Sequence, residues 1–199
     1  MDLGYLIVQR SQYMKRFFDI TVAILAMICL LIPVLMIALA IKITSTGPVL
    51  YWSKRVGANN QLFNMPKFRS MKTGTPAVAT HLLSDPKSVL TPIGDFLRKS
   101  SLDEIPQLWC ILKGDMSIVG PRPALFNQHD LIKLRSETGV SSLVPGLTGW
   151  AQVNGRDELP IPEKIAFDVE YKNQQSFKFD LYIIILTFLK VIKRSGVSH

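Results

Sequence analysis

Two adjacent carboxylates, Asp103 and Glu104, lie in the segment Ser100–Pro106 at the start of a predicted helix. An ionised carboxylate can attack phosphorus, and it can also hold Mg²⁺, a hard cation that prefers oxygen ligands. Because the dipole at a helix N-terminus favours negative charge, we expect Asp103 to stay ionised. The alternative is helix capping, by a Ser101–Glu104 capping box or by Asp103, and spacing alone favours capping.

Basic side chains of the kind that bind phosphate lie in segments bounded by glycine or proline. Arg122 stands between two prolines, which fix the backbone on both sides of its guanidinium. Arg156 ends a glycine-rich stretch, where the backbone can approach a ligand closely. Trp150 in that stretch suits either nucleobase stacking or core packing. The basic residues that indicate an anion site are Lys67, Arg69, Arg98, Arg122 and Arg156.

The bulk composition indicates a protein that meets lipid. Of 199 residues, 48% are hydrophobic and 19% are charged, whereas a soluble domain carries about 25% charged residues. The net charge of +8 suits nucleic acid, an anionic membrane surface or a phosphate-rich substrate. Two cysteines are too few for a disulfide framework, and the histidines have no partner at zinc-ligand spacing.

Residues 20–41 form an uncharged apolar run that, as a helix of 22 residues, would be about 33 Å long and could enter a bilayer. A signal peptide is disfavoured because the run reaches Lys42 without a cleavage site. Pro33, near the middle, predicts a kink or break. Basic residues flank both ends, so the run is either a hairpin that returns to the same side or a kinked single span.

The rest of the chain predicts short, mixed elements. The apolar run 181–192, followed by Lys193 and Arg194, is too short to span and suits either an interfacial helix or a buried core helix. The other predicted elements are a hairpin at 47–71, a loop at 73–92, helical turns at 93–99 and 106–112, an extended piece at 116–119, helices at 127–138 and 163–173, and a glycine-rich loop at 145–155.

Taken together, these stretches resemble the bacterial sugar transferase family, the monotopic phosphoglycosyl transferases. The resemblance runs over nearly the whole chain, and the order and length of the matching strings make it specific. The strings are Lys15–Asp19, Gly47–Val49, Lys67–Met71, Leu102–Trp109, Leu112–Pro123 and Pro145–Arg156.

The resemblance implies a two-step transfer with Asp103 and Glu104 as the catalytic dyad. Asp103 attacks the phosphate that bears the sugar of a UDP-sugar and expels UMP, and polyprenyl (undecaprenyl) phosphate then takes the phosphosugar. Mg²⁺ is the implied cofactor, held partly by Asp103. The product begins glycan assembly, such as O-antigen, capsule or glycoprotein, so downstream glycosyltransferases are implied partners. The implied substrate- or phosphate-binding residues are Lys67, Arg69, Arg98, Arg122, Gln152, Arg156 and Asp168.

The resemblance also implies an α+β fold with a re-entrant membrane helix-break-helix in residues 1–45, kinked at Pro33. Residues 46–199 then form a small, helix-rich cytoplasmic catalytic domain with short strands and interfacial amphipathic helices. The protein is expected in the bacterial inner membrane without crossing it. The family often has serine before the proline, where this chain has Ile32, so the break must be held in another way. The chain resembles the small, catalytic-core members and not those with an added multi-span region.

Two other functions are alternatives. A membrane-bound nucleotide-sugar hydrolase would use the same residues with water as the acceptor. A lipid-anchored nucleic-acid-binding protein is disfavoured, because the basic residues lie among glycines and prolines and do not form one continuous basic helix. The motifs do not specify the sugar, and an N-acetylated amino sugar is expected by family habit.

Overall fold

The computed structural model describes residues 3–76, 78, 85–155 and 159–193, and it confirms a mixture of helices and short strands. The helices are α1 (Leu3–Cys29), α2 (Leu31–Thr44), α3 (Gly94–Lys99), α4 (Leu108–Lys113), α5 (His129–Glu137), α6 (Trp150–Asn154), α7 (Ile161–Gln174) and α8 (Phe177–Lys193). The strands are β1 (Leu50–Val56), β2 (Leu62–Phe68), β3 (Ser117–Val119), β4 (Ala124–Leu125) and β5 (Gly146–Thr148).

Leu30 separates α1 from α2, and the two helices are bent by 61° at this break. Pro33 is the third residue of α2, where a missing N–H costs no intrahelical bond. In a continuous helix its ring would clash with the carbonyl of Cys29. The kink predicted at Pro33 therefore lies at Leu30. In the described part of the chain, no single helix is long and apolar enough to cross a bilayer, and only this bent pair passes that test.

The middle of α1, residues 15–19, is bonded to the rest of the fold by its polar side chains. Lys15 forms an ion pair with Asp180 of α8 at 2.6 Å, and Asp19 accepts a hydrogen bond from the Ile118 N–H at 3.0 Å. Arg16 donates to the last carbonyls of α4. The sequence suggested Lys15 and Arg16 as charges that flank the apolar run and as part of a string shared with the family, without partners for either. They instead bind partners within the folded domain.

The predicted hairpin is confirmed as β1 and β2, which pair antiparallel from Leu50 with Phe68 to Val56 with Leu62. Asn59 turns the chain between the strands with φ of 52°, a conformation that asparagine tolerates better than most residues. β1 lies between β2 and β4 in the sheet. This arrangement brings β4, which follows the Arg122 segment, next to the strand that pairs with β2.

The prediction of a glycine-rich loop at 145–155 is wrong in most of its length. Residues Gly146–Thr148 form β5, which pairs parallel with β3, and Trp150–Asn154 form α6. Turn-type residues dominate the local pattern, whereas the strand depends on a partner about 30 residues earlier in the chain. The other predicted helices and the extended piece are confirmed as α3, α4, α5, α7 and β3 to within two residues at each end.

α8 covers the predicted C-terminal apolar run and has two different faces. Asp180 and Ile183 are almost fully buried against the core, which also includes Ala23 of α1. The opposite face exposes large apolar side chains, so α8 is not a fully buried core helix. Those side chains are Tyr182, Ile185, Phe188, Leu189 and Val191. Arg194, part of the predicted basic end, lies outside the described residues.

Candidate active site

The paired carboxylates lie in a 3₁₀ segment, Leu102–Gln107, between α3 and α4. Ser101, which precedes it, adopts a left-handed conformation with φ of 56° and makes no side-chain capping bond. The Asp103 carboxylate likewise accepts no capping hydrogen bond from a described backbone N–H. The capping interpretation, which spacing alone favoured, is therefore wrong. The two acids are available for another role.

One carboxylate oxygen of Glu104 accepts hydrogen bonds from two cationic side chains. Its Oε1 accepts from Lys67 Nζ of β2 at 2.7 Å and from Arg122 Nη2 at 2.9 Å. Burial opposes the charge on this carboxyl, but Arg122 and Lys67 together hold its pKa well below the usual value. Glu104 is thus an ionised anchor that joins the sheet edge to the Arg122 segment.

Asp103 has a different electrostatic setting from its neighbour. The residue is only 8% exposed, and burial raises the pKa of its carboxyl to about 6, with the charges of Lys67, Arg98 and Arg122 opposing the shift. We expected the helix dipole to favour the charged form of Asp103, but burial dominates and moves its pKa in the opposite direction. Near neutral pH the carboxylate is still mainly charged.

Arg122 lies in a segment that is packed directly against the glycine-rich stretch. A Cβ placed on Gly149 would lie 2.0 Å from the Gly120 carbonyl oxygen, and one on Gly146 would lie 2.1 Å from the Gly120 nitrogen. The sequence suggested that these glycines allow close approach of a ligand. The structure instead uses them to let two backbone segments touch, which fixes the base from which Arg122 extends.

Two of the predicted phosphate-binding residues are engaged elsewhere. Arg69 is 4% exposed and donates to the backbone of Thr46 and to Ser45, so it ties the end of α2 to β2. Asp168 is 1% exposed and accepts two bonds from Arg135, at 2.6 and 3.0 Å. The structure thus brings Lys67, Arg98 and Arg122 to the dyad, and it gives Arg69 and Asp168 partners within the protein.

The remaining predicted residues belong to the stretch around α6. Gln152 is 8% exposed, and both its amide nitrogen and its amide oxygen are buried without a partner in the described structure. Arg156 lies outside the described residues. Trp150 packs against three aromatic rings and donates to Glu170 at 2.8 Å. Of its two interpretations, core packing describes this environment and nucleobase stacking does not.

The buried ion pairs that support the site were not predicted from the sequence. Arg135 comes four residues after Leu131 on α5, and both are buried. An arginine on the apolar face of an amphipathic helix was a usable signal, because a buried guanidinium requires partners. Lys15 and Asp180 gave no such signal, since each lies among residues that also suit a membrane surface.

The donor set around the dyad fits only one kind of metal site. Among the described residues, no three His, Cys, Asp or Glu side chains come together to hold a metal ion. Mg²⁺, however, commonly takes one or two carboxylates and completes its shell with substrate phosphates and water. Asp103 has a carboxylate without a hydrogen bond from any described residue, whereas Glu104 is occupied by two cations. Asp103 therefore fits a Mg²⁺ that is shared with a phosphorylated ligand.

Comparisons with known proteins agree over almost the whole chain. The family model for bacterial sugar transferases matches residues 10–194. The chain is 38% identical over 188 residues to the uncharacterized sugar transferase EpsL of Bacillus subtilis (strain 168), covering 94% of this chain and 91% of that protein.

Two longer relatives have more specific names. The chain is 40% identical over 190 residues to a UDP-glucose:undecaprenyl-phosphate glucose-1-phosphate transferase of Escherichia coli (strain K12), covering 90% of this chain and 40% of that protein. It is 40% identical over 191 residues to an undecaprenyl-phosphate glucose phosphotransferase of Komagataeibacter xylinus, covering 89% of this chain and 36% of that protein. The chain thus spans well under half of these two relatives.

Proposed function

The chain belongs to the bacterial sugar transferase family, and we propose that it transfers a sugar phosphate from a UDP-sugar to polyprenyl phosphate, releasing UMP. The observation that carries the proposal is the contrast within the dyad. Glu104 is held by two cations, while the adjacent Asp103 keeps a carboxylate with no described hydrogen-bond partner, within the field of Lys67, Arg98 and Arg122.

In the proposed first step, a carboxylate oxygen of Asp103 attacks the phosphorus that bears the sugar. An oxygen–phosphorus bond forms, the bond to the UMP oxygen breaks, and UMP leaves with that electron pair. In the second step, a phosphate oxygen of the polyprenyl carrier attacks the same phosphorus, and the Asp103 carboxylate is released. Neither step requires a net proton transfer, which suits a pKa of about 6 at Asp103 because the nucleophile is charged near neutral pH.

The cations around the dyad neutralise charge that the reaction moves. A UDP-sugar brings two phosphates and the acceptor brings one, and phosphoryl transfer depends mainly on positioning and charge neutralisation. Lys67 and Arg122 are oriented by Glu104, and Arg98 acts on Asp103 through its charge. Mg²⁺, held in part by Asp103, would add charge neutralisation on the donor diphosphate. Arg156 and Gln152 stay proposed donor-binding residues.

The proposed membrane placement is a re-entrant hairpin formed by α1 and α2. The apolar run is bonded to the same folded domain on both of its sides, through Lys15 and Asp19 before it and through Ser45 after it. Apolar side chains near the break, including Ile28 and Ile32, are about two-thirds exposed. A hairpin that enters one leaflet of the bacterial inner membrane covers these side chains and keeps the catalytic domain on the cytoplasmic face, where UDP-sugars are found.

A reaction without the lipid acceptor tests the covalent step. The purified full chain is incubated with Mg²⁺ and a panel of UDP-sugars, and UMP release and intact mass are measured beside Asp103→Asn. We expect one donor to give about one UMP per enzyme and a phosphosugar adduct that Asp103→Asn abolishes. Asp95→Asn is the matched control, because Asp95 is an exposed carboxylate of α3 whose partner is Lys99 on the same helix. A parallel reaction with a chelator in place of Mg²⁺ tests whether UMP release requires the metal ion.

The other outcomes separate the alternatives. Continuous UMP release with free sugar phosphate, in the absence of lipid, indicates the hydrolase. UMP release that needs polyprenyl phosphate and leaves no adduct indicates direct transfer, with Asp103 as a metal ligand instead of a nucleophile. The panel includes UDP-glucose, UDP-galactose and their N-acetylated amino counterparts, so the same experiment identifies the sugar.

A further inference from the structure

Four backbone groups of the segment from Val119 to Arg122 are hydrogen-bonded to residues of α1, α5 and β5. The Gly120 N–H donates to the Thr148 carbonyl at 2.9 Å, and the Pro121 carbonyl accepts from the Gly146 N–H at 2.9 Å. These two bonds hold the middle of the segment against β5. The carbonyls at its two ends, those of Val119 and Arg122, are each bound by a buried or part-buried cation.

At the Arg122 end, the cation is Arg135 of α5. One of its terminal nitrogens donates to the Arg122 carbonyl at 2.8 Å, and its other two nitrogens donate to the Asp168 carboxylate. Arg135 and Asp168 are 8% and 1% exposed. A buried ion pair contributes little net stability in comparison with apolar packing. Its planar geometry, however, fixes one donor of Arg135 toward the segment that carries Arg122.

At the Val119 end, the cation is Lys15 of α1, the helix that leads into the membrane hairpin. Its ammonium donates to the Val119 carbonyl at 2.9 Å, to Asp180 at 2.6 Å and to the Tyr171 hydroxyl at 3.4 Å. All three of its protons therefore have acceptors. Tyr171 also donates to Asp180 at 2.7 Å, so the anion beside Lys15 is itself held in place.

We propose that Lys15 and Arg135 are positioning residues for Arg122, and that they fix the segment Val119–Arg122 from its two ends so that Arg122 meets Glu104. This inference rests on the proposed transferase activity. Neither residue touches the dyad, so each acts through Arg122. The Lys15 end makes the docking of the membrane helix part of the geometry of the active site.

Double-mutant cycles with Arg122→Lys test the proposal. A displacement of about 1 Å at a catalytic group can reduce the rate about 100-fold. We expect Arg135→Lys and Lys15→Gln each to lower kcat/KM for UMP release at least about tenfold in the wild-type background. In the Arg122→Lys background we expect each to lower it less than about twofold. Melting temperatures are measured for all variants, and we expect the same decrease in both backgrounds.

Each variant has a matched control on the same helix. Arg16→Gln removes a neighbouring cation of α1 that also binds backbone carbonyls, but those of α4. Lys133→Gln removes an exposed cation of α5 whose partner is Glu137. For both controls we expect any loss in rate to be the same in the two backgrounds. Rate losses for Arg135→Lys and Lys15→Gln that multiply with Arg122→Lys overturn the proposal and make the two residues purely structural.

A measurement that needs no activity separates this inference from the proposed function. In the full chain labelled with ¹⁵N-arginine, the Arg122 Nε–H signal is assigned by its loss in Arg122→Lys. We expect Arg135→Lys and Lys15→Gln to shift or broaden it, and Lys133→Gln to leave it unchanged. If the wild type releases UMP from no donor, the proposed function fails and this signal still decides the inference. An Arg122 signal unaffected by both variants overturns it.

Discussion

Arg122 Nη2 donates to Glu104 Oε1 over 2.9 Å, and this bond connects two segments that are 18 positions apart in the chain. The same oxygen accepts from Lys67 at 2.7 Å. Because one carboxylate orients two cations, the position of the proposed phosphate-binding charges depends on Glu104 as much as on the cations themselves. The neighbouring Asp103 is left without a described hydrogen bond and is buried enough to have a raised pKa.

Removing the charge of Glu104 tests this arrangement. In Glu104→Gln we expect kcat/KM for UMP release to fall by about 100-fold or more, since Lys67 and Arg122 lose their shared anion and repel each other. We expect the melting temperature to fall by only a few degrees. Steady-state kinetics and thermal unfolding measure the two effects. Glu163→Gln, an exposed acid of α7, is the control. A normal rate in Glu104→Gln contradicts the proposed role.

The glycines that separate the two touching backbones give a second prediction. In Gly149→Ala the new Cβ would lie 2.0 Å from the Gly120 carbonyl oxygen. Backbone atoms cannot move away as a flexible side chain can, so we expect a loss of at least about 2 kcal/mol in unfolding free energy. In the control Gly57→Ala, the nearest atom would be at 3.2 Å, and we expect a smaller loss. Similar melting temperatures for both variants contradict this packing role.

Local patterns were sufficient for the elements that are defined by neighbours in the sequence. The hairpin of β1 and β2 and the helices α5 and α7 have their periodicity and turn residues within a single stretch. The two adjacent carboxylates could be picked out in the same way, but their interpretation as a catalytic dyad came from the family resemblance, because spacing alone favoured capping. The capping interpretation was wrong since Ser101 takes a left-handed conformation that its sequence neighbours do not predict.

Contacts between distant residues could not be predicted from these patterns. Lys15 and Asp180 are 165 positions apart, and each could equally have faced lipid headgroups. Arg69 was assigned to phosphate because its string suggested it, yet its two terminal nitrogens donate to the end of α2. An arginine binds backbone carbonyls and phosphate oxygens with the same donors. Only the fold decides which acceptor is near.

Trp150 provides a third prediction, which separates packing from base recognition. Its indole donates to Glu170 at 2.8 Å and contacts the rings of Phe167, Phe179 and Tyr182. In Trp150→Phe we expect a loss of about 1 kcal/mol in stability, because a hydrogen bond is removed. We expect KM for the UDP-sugar to stay within about twofold of the wild type. A large rise in KM with an unchanged melting temperature would instead indicate stacking on the uracil base.

The last prediction concerns the side of the membrane on which the hairpin ends lie. Single cysteines at Gln12 and Thr46, in a chain with Cys29→Ser and Cys110→Ala, bracket the apolar run at exposed positions. Because the residues on both sides of the apolar run are bonded to one domain, we expect a membrane-impermeant maleimide to label both sites in inverted vesicles and neither in spheroplasts. Pro33→Leu removes the ring that prevents a continuous helix past Cys29. In that variant we expect part of the protein to label at one site from the outside. If the two sites label from opposite sides in the protein that keeps Pro33, the pair spans the membrane and the re-entrant placement is contradicted.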